Sequence, residues 1–254
     1  MIQPDSFSVI VCSVILLYAC YSDIKTRTVA NELWLIMILV GIPLAIYNFH
    51  LYGMPFLNRF GISLLFTSLL AYLFFRLGLF GGADAKSLIG IAVLIPTNPL
   101  HSSLIFDPFP FAITTLFNAA VISLIGPLTL FFYNLRNLRF EVLRENLGLA
   151  FIGYKMHIAA LTKPEHKNLL RLLHSYEAEE VEEGAVKRKY VLGGVEIDDA
   201  MIEELKNYRA QGKIGEDVWV TPGLPYMLFI TSGFFVALFY GNLIINIFYY
   251  LFTP

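Results

Sequence analysis

Six mostly apolar stretches, each close to the length of a membrane-crossing helix, constrain this chain more than any other feature. A segment inside the hydrocarbon must bond its own backbone groups internally, so it needs a helix of about 20 apolar residues. The charged share of the chain, 15%, is also low, since a soluble domain carries about 25%. The sequence therefore predicts an all-α polytopic membrane protein with six transmembrane helices. We place them at residues 6–23, 33–49, 60–77, 83–99, 109–135 and 224–252.

Most charged residues are concentrated in one polar segment before the last apolar stretch. Residues 136–217 hold 13 of the 18 Lys and Arg residues and 15 of the 20 Asp and Glu residues. We therefore predict a membrane domain at 1–135, a small α+β insertion at 136–221 and a final transmembrane helix at 222–254. Apolar spacing and cap residues in the insertion predict helices at 169–173 and 198–209, and strands at 189–192 and 217–220.

Lys and Arg favour the cytoplasmic side of a membrane, and here they fall on one side of the predicted spans. Lys25 and Arg27 lie between the first two spans, and Arg76 and Lys86 lie between the third and the fourth. The opposite side carries only Arg59. We therefore predict a multi-pass cell-membrane protein with both termini outside and the insertion in the cytoplasm.

Three acidic residues stand at the ends of predicted spans: Asp23, Glu32 and Asp84. A charge beside the hydrocarbon is costly and therefore suggests a function, although each acid could simply cap a helix in water. The predicted orientation places Asp23 and Asp84 at the cytoplasmic ends of their helices. This shared side favours a common site.

Glycines directly precede the second of these acids, in the run Gly81-Gly82-Ala83-Asp84. Glycine is a poor helix former, but it leaves space for another backbone to approach. A peptide about to be cut is extended, so room beside a carboxylate suits a peptidase. A flexible turn between two spans would also need glycine, and this alternative stays open.

Both acidic segments resemble the prepilin peptidase family, and most closely its archaeal branch, the preflagellin (archaellin) peptidases. In that family an Asp after the first span precedes a polar link that ends in Ile or Val, a small residue or Pro, and Asn or Asp. Val29-Ala30-Asn31 fits this pattern after Asp23. The second family Asp lies in a Gly-x-Gly-Asp motif, shared with presenilin and signal peptide peptidase. Asp84 has Ala83 at the third position, and the archaeal branch resembles a looser form that accepts a small or hydrophobic residue there.

A third segment, Thr221-Pro222-Gly223-Leu224-Pro225, loosely resembles the presenilin-type Pro-Ala-Leu segment before the last span. A helix start punctuated by proline is the alternative. The resemblance as a whole implies an aspartyl peptidase with Asp23 and Asp84 as catalytic residues. The substrate-binding residues that it implies are Gly81, Gly82, Ala83, Pro222, Gly223, Leu224 and Pro225.

Two carboxylates are sufficient for such a reaction. Two acids that share a site do not both ionise cheaply, so one keeps its proton. The ionised acid takes a proton from the attacking water, while the protonated acid polarises the oxygen of the scissile carbonyl. The predicted reaction needs no metal, no other cofactor and no covalent intermediate.

The resemblance also implies the substrate: a precursor protein with a short basic leader and a hydrophobic helix, cut between the two at the cytoplasmic face of the lipid bilayer. The sequence does not choose between archaellin and type IV pilin-like precursors, and we expect no nucleic-acid partner. Two other functions stay open. A proton- or cation-coupled transporter using Asp23 and Asp84 predicts acids deeper in the spans, and a plain membrane anchor leaves the glycines before Asp84 unexplained.

Overall fold

The computed structural model describes residues 4–99, 108–161, 170–178 and 186–252. Within these residues the elements follow one another as α1 (Pro4–Thr26), α2 (Glu32–Tyr52), α3 (Met54–Arg76), α4 (Gly82–Leu94), α5 (Phe111–Ser123), α6 (Ile125–Asn137), α7 (Phe140–Glu145), α8 (Leu147–Ile152), β1 (Tyr154–His157), β2 (Leu170–Ala178), β3 (Val186–Glu196), α9 (Asp199–Ala210), β4 (Asp217–Pro222), α10 (Tyr226–Tyr240) and α11 (Leu243–Phe252). They form two compact units, Met1–Ser123 with Pro225–Pro254, and Leu124–Leu224.

Four helical segments in the described residues are long and apolar enough to cross a membrane: Ser6–Thr26, Glu32–Tyr52, Met54–Arg76 and Phe111–Asn137. A fifth is obtained if α10 and α11, which meet at a bend of 51°, are counted as one broken span. The predicted total of six is therefore not confirmed. The difference is the span predicted at residues 83–99.

The helix at this place, α4, is too short to cross the membrane alone. It has 13 residues, which at about 1.5 Å each is roughly 20 Å, against about 30 Å of hydrocarbon. Most of its residues are buried by other parts of the first unit. A Cβ on Gly90 would lie 2.7 Å from the Met37 sulfur, and a Cβ on Gly41 would lie 2.6 Å from the Val93 side chain. The apolar sequence of α4 therefore reflects close packing against α2, which small residues permit.

Helices α5 and α10 form another close contact in the first unit. Gly233 of α10 lies against the α5 backbone, where a Cβ would stand 2.5 Å from the Thr115 carbonyl oxygen and 2.6 Å from the Ala119 nitrogen. The rings of Phe111 and Phe234 pack edge to face at 5.6 Å beside this contact. A small residue at position 233 thus sets the distance between the two helices.

The second unit is built on an antiparallel sheet of order β1-β4-β2-β3. One hydrophobic core includes Leu172, Leu205, Val218 and Val220, and α9 packs into it. The helix predicted at 198–209 is confirmed as α9, with the Asp198 carboxylate accepting the Met201 N–H at 2.7 Å. The strands predicted at 189–192 and 217–220 are confirmed within β3 and β4.

The short helix predicted at 169–173 is wrong, since residues 170–173 belong to strand β2. Leu172 belongs to the core that includes α9, while Leu173 packs with Leu143 and Trp219 in a separate core. Both faces of this strand are covered by a hydrophobic core. Its sequence therefore lacks the alternation of apolar and polar residues that is typical of a half-exposed strand. The remainder of that prediction, residue 169, lies outside the described residues.

The close contact between α5 and α10 leads to a prediction about the thermal stability of the protein. We expect Gly233→Ala to lower the apparent melting temperature in detergent by several degrees, because the new Cβ meets backbone atoms of α5 that cannot move aside cheaply. Overpacking of this kind costs about 1–3 kcal/mol. The matched control is Gly61→Ala on α3, where a Cβ meets no atom within 4 Å. Equal melting temperatures for the two variants would contradict the close approach.

Candidate active site

The first predicted acid, Asp23, lies in the last turn of α1 with its side chain half-buried. The helix ends because Arg27 adopts a left-handed backbone, with φ of 57°. Two hydroxyl groups then fold the chain back: Ser22 Oγ and Thr26 Oγ1 donate to the Thr28 carbonyl oxygen at 2.7 Å and 3.2 Å. This compact turn holds Asp23 at the end of α1.

The second predicted acid, Asp84, lies in the first turn of α4 and is 8% exposed. The Gly81 N–H donates to its Oδ2 at 2.9 Å, so the carboxylate satisfies one of the N–H groups that a helix N-terminus leaves unpaired. Ser87 Oγ donates to the Asp84 carbonyl oxygen at 2.7 Å. A Cβ on Gly81 would lie 3.2 Å from Oδ2, which explains glycine at this position.

The fold brings the two acids together. Their carboxylates are close enough to repel each other electrostatically, although the residues are far apart in the sequence. The N-terminus of α10 lies at the same place. The Met227 backbone N–H lies within electrostatic reach of the Asp23 carboxylate, and Tyr226 lies within electrostatic reach of Asp84.

Tyr226 and Met227 are the site residues that sequence reasoning missed. Pro225 stands at the N-cap of α10 and provides no side-chain cap, so the first N–H groups of this helix need an acceptor from elsewhere. The Tyr226 ring packs 5.4 Å from the Phe80 ring, next to the glycines that precede Asp84. In the sequence, Pro225 indicates where an apolar helix begins, but it does not indicate which carboxylate lies beside the first N–H groups of that helix.

The predicted substrate-binding residues have different surroundings. A Cβ on Gly82 would have a single neighbour within reach, a Phe75 ring carbon at 4.0 Å, so the space beside this glycine is open. Ala83 is partly buried and packs against the hydrophobic core of the first unit. Pro225 begins α10. Pro222, Gly223 and Leu224 belong to the second unit, and their role in substrate binding stays a prediction.

A cavity of about 390 Å³ lies at the other ends of these helices. Its lining includes Ser8, Asn48, Arg59 and Asn98. Ser8 precedes Asp23 on α1 by 15 residues, which is about 22 Å along a helix. The cavity is therefore separate from the two acids.

The arrangement at the acids suits acid–base chemistry. In general, two carboxylates that share a site favour a state with a single proton between them, so that one accepts a proton while the other donates. Both acids lie at helix N-termini, where the peptide dipoles stabilise negative charge, and Asp84 accepts the Gly81 N–H there. The open space beside Gly82 leaves room for a peptide next to Asp84.

Comparison with known proteins gives concordant results over most of the chain. Residues 10–128 match the model of the type IV leader peptidase family, and residues 145–243 match a model described as Archaeal Peptidase A24 C-terminus Type II. The preflagellin peptidase of Methanococcus voltae is 30% identical over 244 residues, which cover 91% of this chain and 94% of the relative. That of Methanocaldococcus jannaschii is 27% identical, over 94% of this chain and 96% of the relative.

A preflagellin peptidase of Methanococcus maripaludis is 24% identical over 91% of this chain and 94% of the relative. These relatives span both compact units and therefore match the organisation of the whole chain rather than one part of it. This membrane protein belongs to the type IV leader peptidase family.

Proposed function

We propose that this chain is an intramembrane aspartyl endopeptidase that removes the basic leader from archaellin or type IV pilin-like precursors, with Asp23 and Asp84 as its catalytic pair. The observation that carries the proposal is that the two carboxylates lie within electrostatic reach of each other, beside the first residues of α10. Membership in a leader peptidase family supports the substrate class. The relatives named preflagellin peptidases support an archaellin precursor among the possible substrates.

In the proposed reaction, the ionised carboxylate accepts a proton from a water molecule, and the oxygen of that water attacks the scissile carbonyl carbon. The protonated carboxyl group donates its proton to the carbonyl oxygen, which gives a tetrahedral diol. The diol then collapses, the C–N bond breaks, and the leaving amine takes the proton that came from water. One hydroxyl proton of the diol returns to the second aspartate, so the pair ends with a single proton as it began.

The proposed substrate complements this site in charge and polarity. A positively charged leader is attracted to a pair of carboxylates, while its hydrophobic helix lies in the bilayer beside the membrane helices. The Lys and Arg distribution supports a catalytic face on the cytoplasmic side, because Lys25, Arg27 and Lys86 stand close in the sequence to the two acids. The residues that follow α4, up to Pro99, line the cavity at the opposite end of α1 from Asp23, so the chain passes from one side to the other through α4 and these residues together. We therefore infer that both termini are outside and that the second unit is cytoplasmic.

The catalytic assignment predicts that Asp23→Asn and Asp84→Asn each lower kcat/KM for precursor cleavage by at least about 100-fold, because an amide neither accepts nor donates the required proton and a positioned acid or base contributes 10²–10⁴-fold. The measurement is cleavage of a purified precursor by the purified chain in detergent, with and without EDTA. The control is Glu32→Gln, which removes an exposed carboxylate on the neighbouring helix. Near-normal cleavage by either Asn variant would remove that residue from the mechanism.

The open space beside Gly82 predicts a steric effect on substrate. Gly82→Val should reduce kcat/KM by roughly tenfold or more while leaving the melting temperature nearly unchanged, because the branched side chain fills space that the fold leaves empty. Ala83→Gly should cleave close to the wild-type rate, since it adds no atoms. If Gly82→Val and Ala83→Gly were equally active, the glycines would serve only as a turn.

The proposed orientation predicts the side from which single cysteines react in sealed cells. With Cys12 and Cys20 replaced, a cysteine at Asn58, exposed near the start of α3, should react with an impermeant maleimide added outside. A cysteine at Glu203, exposed on α9, should react only after the cytoplasm is opened. The reverse pattern would place both acids on the outer face and contradict a cytoplasmic cut.

A further inference from the structure

A side-chain contact connects the two segments that carry the acids. Lys86 Nζ, on the second turn of α4, donates to Asn31 Oδ1, in the link between α1 and α2, at 2.7 Å. Lys86 follows Asp84 by two residues, and Asn31 ends the short link that begins after α1. The contact therefore joins the start of one acid-bearing helix to the chain that leaves the other.

Asn31 is at a position where its side chain ordinarily has another use. It is the N-cap residue of α2, and an asparagine there normally accepts a backbone N–H of the first turn. In this protein the side chain makes no cap hydrogen bond, although the Asn31 carbonyl oxygen still accepts the Trp34 N–H at 3.2 Å. The Asn31 amide oxygen instead accepts a charge-assisted hydrogen bond from the Lys86 ammonium group.

The link between Asp23 and Asn31 is itself held in place. The Arg27 N–H donates to the Asp23 carbonyl oxygen at 3.0 Å, and the Ser22 and Thr26 hydroxyl groups bind the Thr28 carbonyl oxygen. Val29 packs against the hydrophobic core of the first unit. A link with this many contacts transmits the position of Asn31 to the end of α1.

We propose that Lys86 and Asn31 are positioning residues, whose contact holds the end of α1 against the start of α4 and so sets the separation of Asp23 and Asp84. This inference rests on the proposed function of the two acids. Neither residue touches the reacting atoms. Lys86 acts through the Asn31 amide oxygen. An aspartate at position 31 serves equally well, because its carboxylate also accepts a hydrogen bond from the Lys86 ammonium group.

The test measures kcat and KM separately for precursor cleavage by the full-length chain in detergent. Lys86→Met and Asn31→Leu should each lower kcat about tenfold with little change in KM, because the two acids are then held less accurately for the reaction. The double variant should lose no more than either single variant, because both remove the same contact. Asn31→Asp should keep kcat within about twofold of wild type, since it preserves the acceptor.

The matched control is Lys25→Met, which removes a positive charge near the end of α1 whose contacts are to Tyr21 on the same helix. Its kcat should stay close to wild type. If Lys86→Met and Asn31→Leu kept normal kcat, or if their losses multiplied in the double variant, the positioning role would be wrong. Asp84→Asn is assayed alongside: an active Asp84→Asn variant would overturn the proposed function itself, whereas an inactive one with normal Lys86→Met would overturn only this inference.

A second measurement reports geometry without relying on catalysis. In a chain with Cys12 and Cys20 changed to alanine, Asp23→Cys and Asp84→Cys are joined by a short bifunctional thiol reagent. Adding Lys86→Met should lower the cross-linking yield several-fold, while adding Lys25→Met should leave it unchanged. Equal yields in the two backgrounds would show that the contact does not set the separation, even if Asn31→Leu proved too unstable to assay.

Discussion

Partly buried acidic side chains need stabilisation that water cannot supply freely, and in this protein each acid lies at a helix N-terminus. Asp84 accepts the Gly81 N–H at the start of α4, and Asp23 lies near the Met227 N–H at the start of α10. The first N–H groups of a helix are unpaired and carry partial positive charge, so each is a matched partner for a carboxylate. The positions of α4 and α10 therefore decide where the two acids can be held.

The shortness of α4 follows from the same requirement. A helix that crossed the whole bilayer would place its first turn at the membrane surface, whereas α4 has 13 residues and is packed inside the first unit. Gly90 and Gly41 leave space for the side chains of Met37 and Val93, so α4 and α2 pack closely. The first turn of α4 can then be buried together with Asp84, while Gly81 and Gly82 leave room around the carboxylate.

The helices that meet at the acids come from distant parts of the chain, and their relative placement depends on several packing contacts. Gly233 allows α10 to pack closely against α5. Thr231 Oγ1 of α10 donates to the Leu16 carbonyl oxygen of α1 at 3.3 Å, and the Tyr226 ring packs on the Phe80 ring. A reaction that shares one proton between two carboxylates depends on their separation, because electrostatic coupling falls with distance. Rigid packing around the acids is thus part of the proposed chemistry.

Apolar length in the sequence was enough to determine the membrane class and most helices, because a helix in lipid must be long and apolar. Charge placement singled out Asp23 and Asp84 as candidate site residues, because a charge beside such a helix is costly. Sequence could not determine that the 83–99 stretch is a short buried helix, since contact with protein and contact with lipid both select apolar residues. It also misassigned residues 170–173, because a strand covered on both faces lacks polar alternation. Only the tertiary structure showed that Tyr226 and Met227 lie beside the acids and that Lys86 donates a hydrogen bond to Asn31. Such contacts depend on how distant segments pack, and local periodicity carries no information about that.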